Sequence, residues 1–276
     1  MIHARPDGRA RHTSHPGNRM IRAWLDLSAF GLFAVLIALY GGVTVLLSLI
    51  VFRSRLKNPL QSCNGVVAPF FNAVAILFAL LTGFLANDVS ERGRHAVRAV
   101  QAEAGELRNI HTLSVASASD MRTIRAALKA YVAAVAADEW PAMAEGRTAP
   151  RAAAAYDDLL REVSVPSIAK SSGAAVHASL LNAAVRAGTA RNDRLALASD
   201  HTNDLKWLAV IVLGALTQVA IALVHLDRPR AFLAALTLFS IAAVVALGII
   251  ALQEYPFDGA FRVADTPIAA LQGLSE

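Results

Sequence analysis

Charge is scarce in this chain and cysteine scarcer still. Only 17% of its 276 residues are Asp, Glu, Lys or Arg, against 55% apolar, a balance unlike that of a soluble globular chain. The single cysteine, Cys63, excludes an intramolecular disulfide and a cysteine-based zinc site, because each needs several sulfurs held together. Cys63 reads as an inert thiol. Also missing are the GxxxxGK, HExxH, paired-cysteine and GxSxG patterns, and with them the usual marks of nucleotide hydrolases, kinases, metalloenzymes and serine hydrolases. The chain reads as a non-enzyme without a cofactor or metal. His95, His111, His177 and His201 fall on polar helix faces without partners at ligand spacing, and read as solvated surface. The net charge of +5 comes from arginines beside hydrophobic segments, without interleaved aromatics, so no nucleic-acid partner is expected.

What the sequence does have is long uncharged runs, at residues 27–52, 66–86, 207–224 and 231–252. At 1.5 Å per residue the first, second and fourth are long enough to cross a hydrocarbon core of about 30 Å, and the third is short. The first is too long for a signal peptide, and no small-x-small cleavage site follows it. The expected fold is all-α. Residues 1–23 form a basic, disordered tail, in which His3, His12 and His15 have no scaffold for a metal. Residues 24–86 hold spans one and two, 87–206 a polar helical segment continuous with spans two and three, 207–252 spans three and four, and 253–276 a tail. Both termini and the polar segment then share one side of the membrane. That side carries Arg5, Arg9, Arg11, Arg19, Arg22, Arg92, Arg94, Arg98, Arg191, Arg194, Lys206 and Arg262, and the other only Arg53, Arg55, Lys57, Arg228 and Arg230. The positive-inside rule makes the richer side cytoplasmic.

Within the polar segment, Val97, Val100, Ala104 and Leu107 recur at three- and four-residue steps, so span two is expected to run on as an amphipathic helix. A second helix is expected from Ser119 or Asp120, with Met121, Ile124, Leu128, Tyr131 and Val135 on one face, ending at Glu139-Trp140-Pro141. A third is expected over residues 151–163. A fourth, from Ala174, carries Leu180, Ala184, Ala187, Arg191 and Arg194 and is expected to continue unbroken into Trp207.

Inside the spans the polar side chains include Thr44, Ser48, Asn72, Thr82, Thr217 and Gln218, with no Asp, Glu, Lys or Arg. A proton- or ion-coupled transporter needs one near midplane, so a passive pore, a scaffold or a sensor is favoured. The hydroxyls and amides read as hydrogen bonds between helices, and Gly41-Gly42 as close packing. Span two also carries Phe71, Ala75, Phe78, Thr82 and Leu85 on one face. In an oligomer with that face at its axis, rings of Phe71 and Phe78 would form a hydrophobic constriction that gates by wetting. The alternative for this stripe is lipid or partner contact.

Four short motifs complete the pattern: EAGEL from Glu103 to Leu107, Glu139-Trp140-Pro141 with Met143, RNDRL from Arg191 to Leu195, and Glu254-Tyr255-Pro256-Phe257-Asp258-Gly259. In that order the sequence resembles the bestrophin-like family of bacterial membrane proteins from about Ala29 onward, and through it, distantly, the bestrophin channels. The resemblance implies a pentamer in the bacterial inner membrane, in contact with lipid, with cytoplasmic N- and C-termini, a pore lined by the second span, and ions as cargo. Its motif positions here are Glu103, Glu139, Trp140, Pro141, Arg191, Arg194, Pro256, Phe257 and Gly259, with Asp258 inserted into a Pro-Phe-Gly ending. The competing reading is a non-conducting scaffold or sensor whose cytoplasmic helices bind a partner.

Overall fold

The computed structural model describes residues 16–53, 68–117, 119–226, 228–259 and 261–274, the side chains of 16–19 and 68–71 excepted. Cys63, most of the turn after span one, and the three N-terminal histidines lie outside the described residues. Among the described residues every element is helical, and four helices are long and apolar enough to cross a membrane. The chain divides into two compact units, residues 1–83 with 203–248, and residues 84–202 with 249–276.

The first unit holds α1 (Pro16–Leu25), α2 (Ala29–Arg53), the start of α3 (Ala68–Ala116), α9 (Asp204–Val224) and most of α10 (Pro229–Ala251). α1 corrects the boundary of the disordered tail expected over residues 1–23. Proline is well placed at the first helical position, and Ile21, Trp24 and Leu25 then fall on one buried face. Trp24 stacks edge-on against Trp207 at 5.2 Å, and Arg22 pairs with Asp204 at 3.2 Å. The average polarity of the tail hid this short one-sided pattern.

Large apolar side chains such as Phe30, Ile37, Leu238 and Ile241 point outward from the spans, which suits a lipid solvent. Inside the unit, Gln218 draws three helices together: its Nε2 lies 3.0 Å from the Tyr40 carbonyl and the Thr44 Oγ1, and 2.9 Å from the Ser240 Oγ. One turn earlier, Gly214 faces the buried Tyr40 ring. A Cβ there would overlap the hydroxyl and sit 2.9 Å from Cζ. Gly214→Ala is therefore expected to destabilise the protein by about 1–3 kcal/mol. The Tyr40 hydroxyl has no hydrogen-bond partner among the described residues, so adding Tyr40→Phe is expected to recover part of that loss. Thermal unfolding of the single and double variants in detergent checks this, and an unaltered double variant would contradict it.

The second unit holds the rest of α3, α4 (Arg122–Ala134), α5 (Trp140–Ala144), α6 (Pro150–Val163), α7 (Ser167–Ser172), α8 (Ala174–Ser199), and a C-terminal segment with α11 (Thr266–Ala269). Its core is built from Leu107, Ile110, Ile124, Leu128, Tyr131, Val135, Leu159, Val163, Leu180 and Ala184, among others. α3 is a single helix of 49 residues, with Pro69 in its first turn, where no intrahelical N–H bond is lost.

Three expectations are corrected here. α4 starts at Arg122, and Asp120 acts just outside it by accepting the Arg122 backbone N–H at 3.0 Å. Pro141 does not end that helical path: the chain widens into a π-helical turn over Val135–Glu139, in which the Trp140 N–H reaches back to the Val135 carbonyl, and continues to Ala144. Proline cannot donate to the carbonyl four residues back and would clash with it. The wider turn relieves both problems. The fourth helix does not run into span three. α8 stops at Ser199, Asp200 is extended, and Asn203 caps α9 by accepting the Leu205 N–H at 2.9 Å. Short polar side chains at 200–204 offer the backbone local bonds that compete with a helix, a signal that apolar periodicity does not register.

Candidate functional site

The buried heart of the second unit is ionic. Arg194, wholly out of solvent, bridges two equally buried carboxylates. Its Nε donates to Glu103 Oε2 at 2.7 Å, and one Nη donates to Glu103 Oε1 at 3.1 Å and Glu139 Oε1 at 2.6 Å. The other Nη meets the Met143 sulfur at 2.9 Å. Arg191, one turn earlier on α8, forks onto Glu139, with Nε at 3.0 Å from Oε2 and a second, shorter bond from Nη2. Tyr131 on α4 donates its hydroxyl to Glu103 Oε1 at 2.6 Å. Aromatic faces cover the cations: Trp140 lies 5.2 Å from the Arg194 guanidinium and Tyr156 5.9 Å from that of Arg191.

Two arginines against two glutamates leave the cluster neutral, the condition under which buried charge is tolerable. Burial works against the Arg194 charge, but Glu103 and Glu139 together outweigh it and hold the guanidinium above its usual range. The π turn matters here, because Glu139 is its last residue and reaches both arginines from there.

Burial first, and the Glu103 charge second, raise the Tyr131 phenol well above its ordinary 10.0. The folded chain therefore keeps a proton that the unfolded chain releases above pH 10. The stability this proton contributes is complete below that pH and is lost as pH rises past it. Tyr131→Phe is expected to remove this part of the alkaline loss while costing about 1.5–3 kcal/mol at neutral pH for a hydrogen bond to a charged group. Unfolding curves of both chains from neutral to strongly alkaline pH check the sign.

The C-terminal motif closes on the same region. Phe257 is buried and meets Trp140 edge-on at 5.7 Å. The Pro256 carbonyl accepts the Val263 N–H at 2.7 Å, and Gly259 turns the loop at φ 80°, a conformation that favours glycine. The inserted Asp258 accepts the Gly259 N–H at 2.7 Å. A second buried carboxylate, Glu254, takes the Arg92 guanidinium at 3.0 Å and the Thr202 N–H at 2.6 Å, and so fastens α3, the segment after α8 and the C-terminal segment together.

Along α3 the exposed side chains form a stripe. Ile76, Leu80, Asn87, Arg94, Arg98 and Gly105 are all exposed and lie within about 40° on a helix turning 100° per residue. Phe84 stands beside them, and the large apolar members Ile76, Leu80 and Phe84 are 64%, 52% and 58% exposed. The stripe expected to line a pore faces the other way. Leu85 is buried, Ala75 and Thr82 are half-buried, and Phe78 rests on Phe239 at 5.5 Å. The side chain of Phe71 lies outside the described residues. Periodicity finds two apolar faces on this helix and cannot tell which one the protomer covers.

A family model described as the bestrophin-like domain matches residues 38–268. The chain belongs to the bestrophin-like family. Among solved structures it is similar to a point mutant of a bacterial bestrophin homolog from Klebsiella pneumoniae, with a TM-score of 0.65 and 13% identity over 88% of this chain and 99% of that one. A second mutant of that homolog matches with a TM-score of 0.63 and 16% identity over 89% and 94%. A crystal structure described as a membrane protein matches with a TM-score of 0.65 and 13% identity over 88% and 99%. At these identities the likeness is one of fold. No curated protein matches the chain.

The motif positions of this bestrophin-like chain gather in its second unit. Glu103, Glu139, Arg191 and Arg194 form the ionic cluster, Trp140 and Phe257 flank it, Pro141 causes the π turn, and Pro256 and Gly259 shape the closing loop. Arg191 and Arg194, which sequence counting treats as topogenic charge, are thus core ion pairs. Sequence reasoning placed Tyr131 on an apolar face. Its hydroxyl was the available signal, since a buried phenol needs a partner.

Proposed function

We propose that this chain is one subunit of a homo-oligomeric, bestrophin-type ion channel of the bacterial inner membrane, with α3 at the axis and the polar unit and both termini in the cytoplasm. A pentamer is the form that the family resemblance implies. The observation that carries this reading is the stripe on α3. One unbroken helix turns a single face outward, and that face changes from Ile76 and Leu80 to Arg94 and Arg98 without rotating. The first half suits an apolar lining and the second, beyond residue 86, a water-filled one. A conduit needs both, an apolar constriction followed by a wet vestibule. The uncharged spans agree with passive flow rather than coupled transport.

The charge on this face supports a preference for anions. Arg92 is engaged by Glu254, and the exposed Arg94 and Arg98 outnumber the exposed Glu91 beside them. The test is ion flux into liposomes reconstituted with the purified protein. Flux above empty liposomes with an anion-biased reversal potential is expected. A purified ring that passes no ion under varied salt, pH and calcium would overturn the channel reading in favour of a scaffold.

A further inference from the structure

A cavity of about 390 Å³ opens in the second unit beside the turn that joins α5 to α6. Its wall is largely apolar, with Met143 from α5, Pro150 and Ala153 from α6, and Leu195 and Ala198 from α8. The rim is held in place: Gly146 turns it at φ 63°, and the Arg147 backbone N–H donates to the Ala142 carbonyl at 2.8 Å. Two members of the ionic cluster, Glu139 and Arg191, also line the space, and they are only 1% and 9% exposed. Both Glu139 oxygens are taken, Oε1 by Arg194 at 2.6 Å and Oε2 by Arg191 at 3.0 Å. Arg191 commits Nε and Nη2 to that carboxylate, while its Nη1 has no hydrogen-bond partner among the described residues.

From these features we infer that the cavity binds a small neutral molecule with an apolar body and one hydrogen-bond-accepting oxygen, a carbonyl compound in chemical class. The volume falls within the range of small-molecule pockets, about 300–1,000 Å³, which combine an apolar wall with a few polar groups. The polar group on offer here is a guanidinium donor, so the ligand supplies the acceptor. It carries no charge, because two arginines already balance two glutamates and a further carboxylate would be buried without a counter-ion. Met143 also meets the Arg194 guanidinium through its sulfur, and its unbranched side chain can adapt to the shape of a ligand. Occupancy is thereby linked to the cluster that ties α3, the π turn and α8 together, and a ligand there stabilises the second unit. This site is independent of ion conduction.

Benzophenone, a neutral diaryl ketone that inserts into nearby C–H bonds under near-ultraviolet light, tests the inference on the full chain in detergent. Irradiation and peptide mapping are expected to place saturable adducts within residues 143–153 and 195–199. Three compounds of nearly equal shape then compete: acetophenone is expected to displace the label, ethylbenzene about tenfold less well for want of the one hydrogen bond, and charged benzoate least. Ala153→Phe, which fills the cavity from α6 and touches none of the four cluster charges by substitution, is expected to cut this labelling about tenfold. Labelling of the spans is expected to stay unchanged in that variant. Ala198→Phe fills the same space from α8 and carries the test if the first variant fails to fold. Absence of adducts in these segments, or adducts indifferent to cavity filling, overturns the site. Displacement by ethylbenzene or benzoate as good as that by acetophenone overturns the assigned ligand class.

Discussion

Replacing Arg194 with methionine is expected to lower the stability of the protein by about 3–5 kcal/mol, much of the usual margin of about 5–15 kcal/mol. The side chain is fully buried, so nothing in solvent can take its place. Without it Glu103 keeps only the Tyr131 hydroxyl, and Glu139 keeps only Arg191. One buried carboxylate is then left without a counter-charge, which is more costly than the absence of the whole pair. Two comparisons make the prediction specific. Arg191→Met is expected to cost less, because Glu139 retains Arg194 and Arg191 is at the edge of the cluster. Adding Glu103→Gln to Arg194→Met is expected to recover part of the loss by removing the stranded charge. Denaturant or thermal unfolding of the four chains in detergent gives the ranking. Equal losses for the two arginine variants, or a double variant worse than Arg194→Met, would contradict the bridging role.

The second large effect concerns flux. On the channel reading, Ile76, Leu80 and Phe84 ring the axis at successive turns, and each copy narrows the path with apolar side chains that resist wetting. Changing all three to Ala is expected to raise ion flux in liposomes severalfold and weaken discrimination between ions, because the constriction widens and its dewetting barrier falls. Phe78→Ala is expected to act differently. That ring packs against Phe239 within the protomer, so its loss is expected to lower thermal stability without widening the path. Increased flux from Phe78→Ala with none from the triple variant would return the pore face to the stripe of Phe71, Phe78 and Leu85.

Much of this architecture is legible in the sequence because lipid imposes a coarse rule. A run such as residues 27–52 can only be a membrane helix, since no other short segment satisfies its own backbone bonds in hydrocarbon. The helices of the polar unit are legible for a related reason, as one-sided apolar faces over Ile124, Leu128 and Tyr131 demand a core to cover them. Boundaries were harder. Pro141 reads as a stop, yet a π turn carries the chain through it, and the stretch at 200–204 reads as helix until Asn203 and Glu254 satisfy its backbone instead.

What the sequence determined by itself was the number of spans, the all-helical class and the four motifs, because each depends on local composition and order. What only the tertiary structure decided was why those motifs exist and which face of α3 is outward. Glu103 and Arg194 are 91 residues apart and Glu139 and Arg191 are 52 apart, and nothing in either spacing says that these charges meet. They meet because a buried ion is tolerated only beside its opposite, and that is settled by how the helices pack.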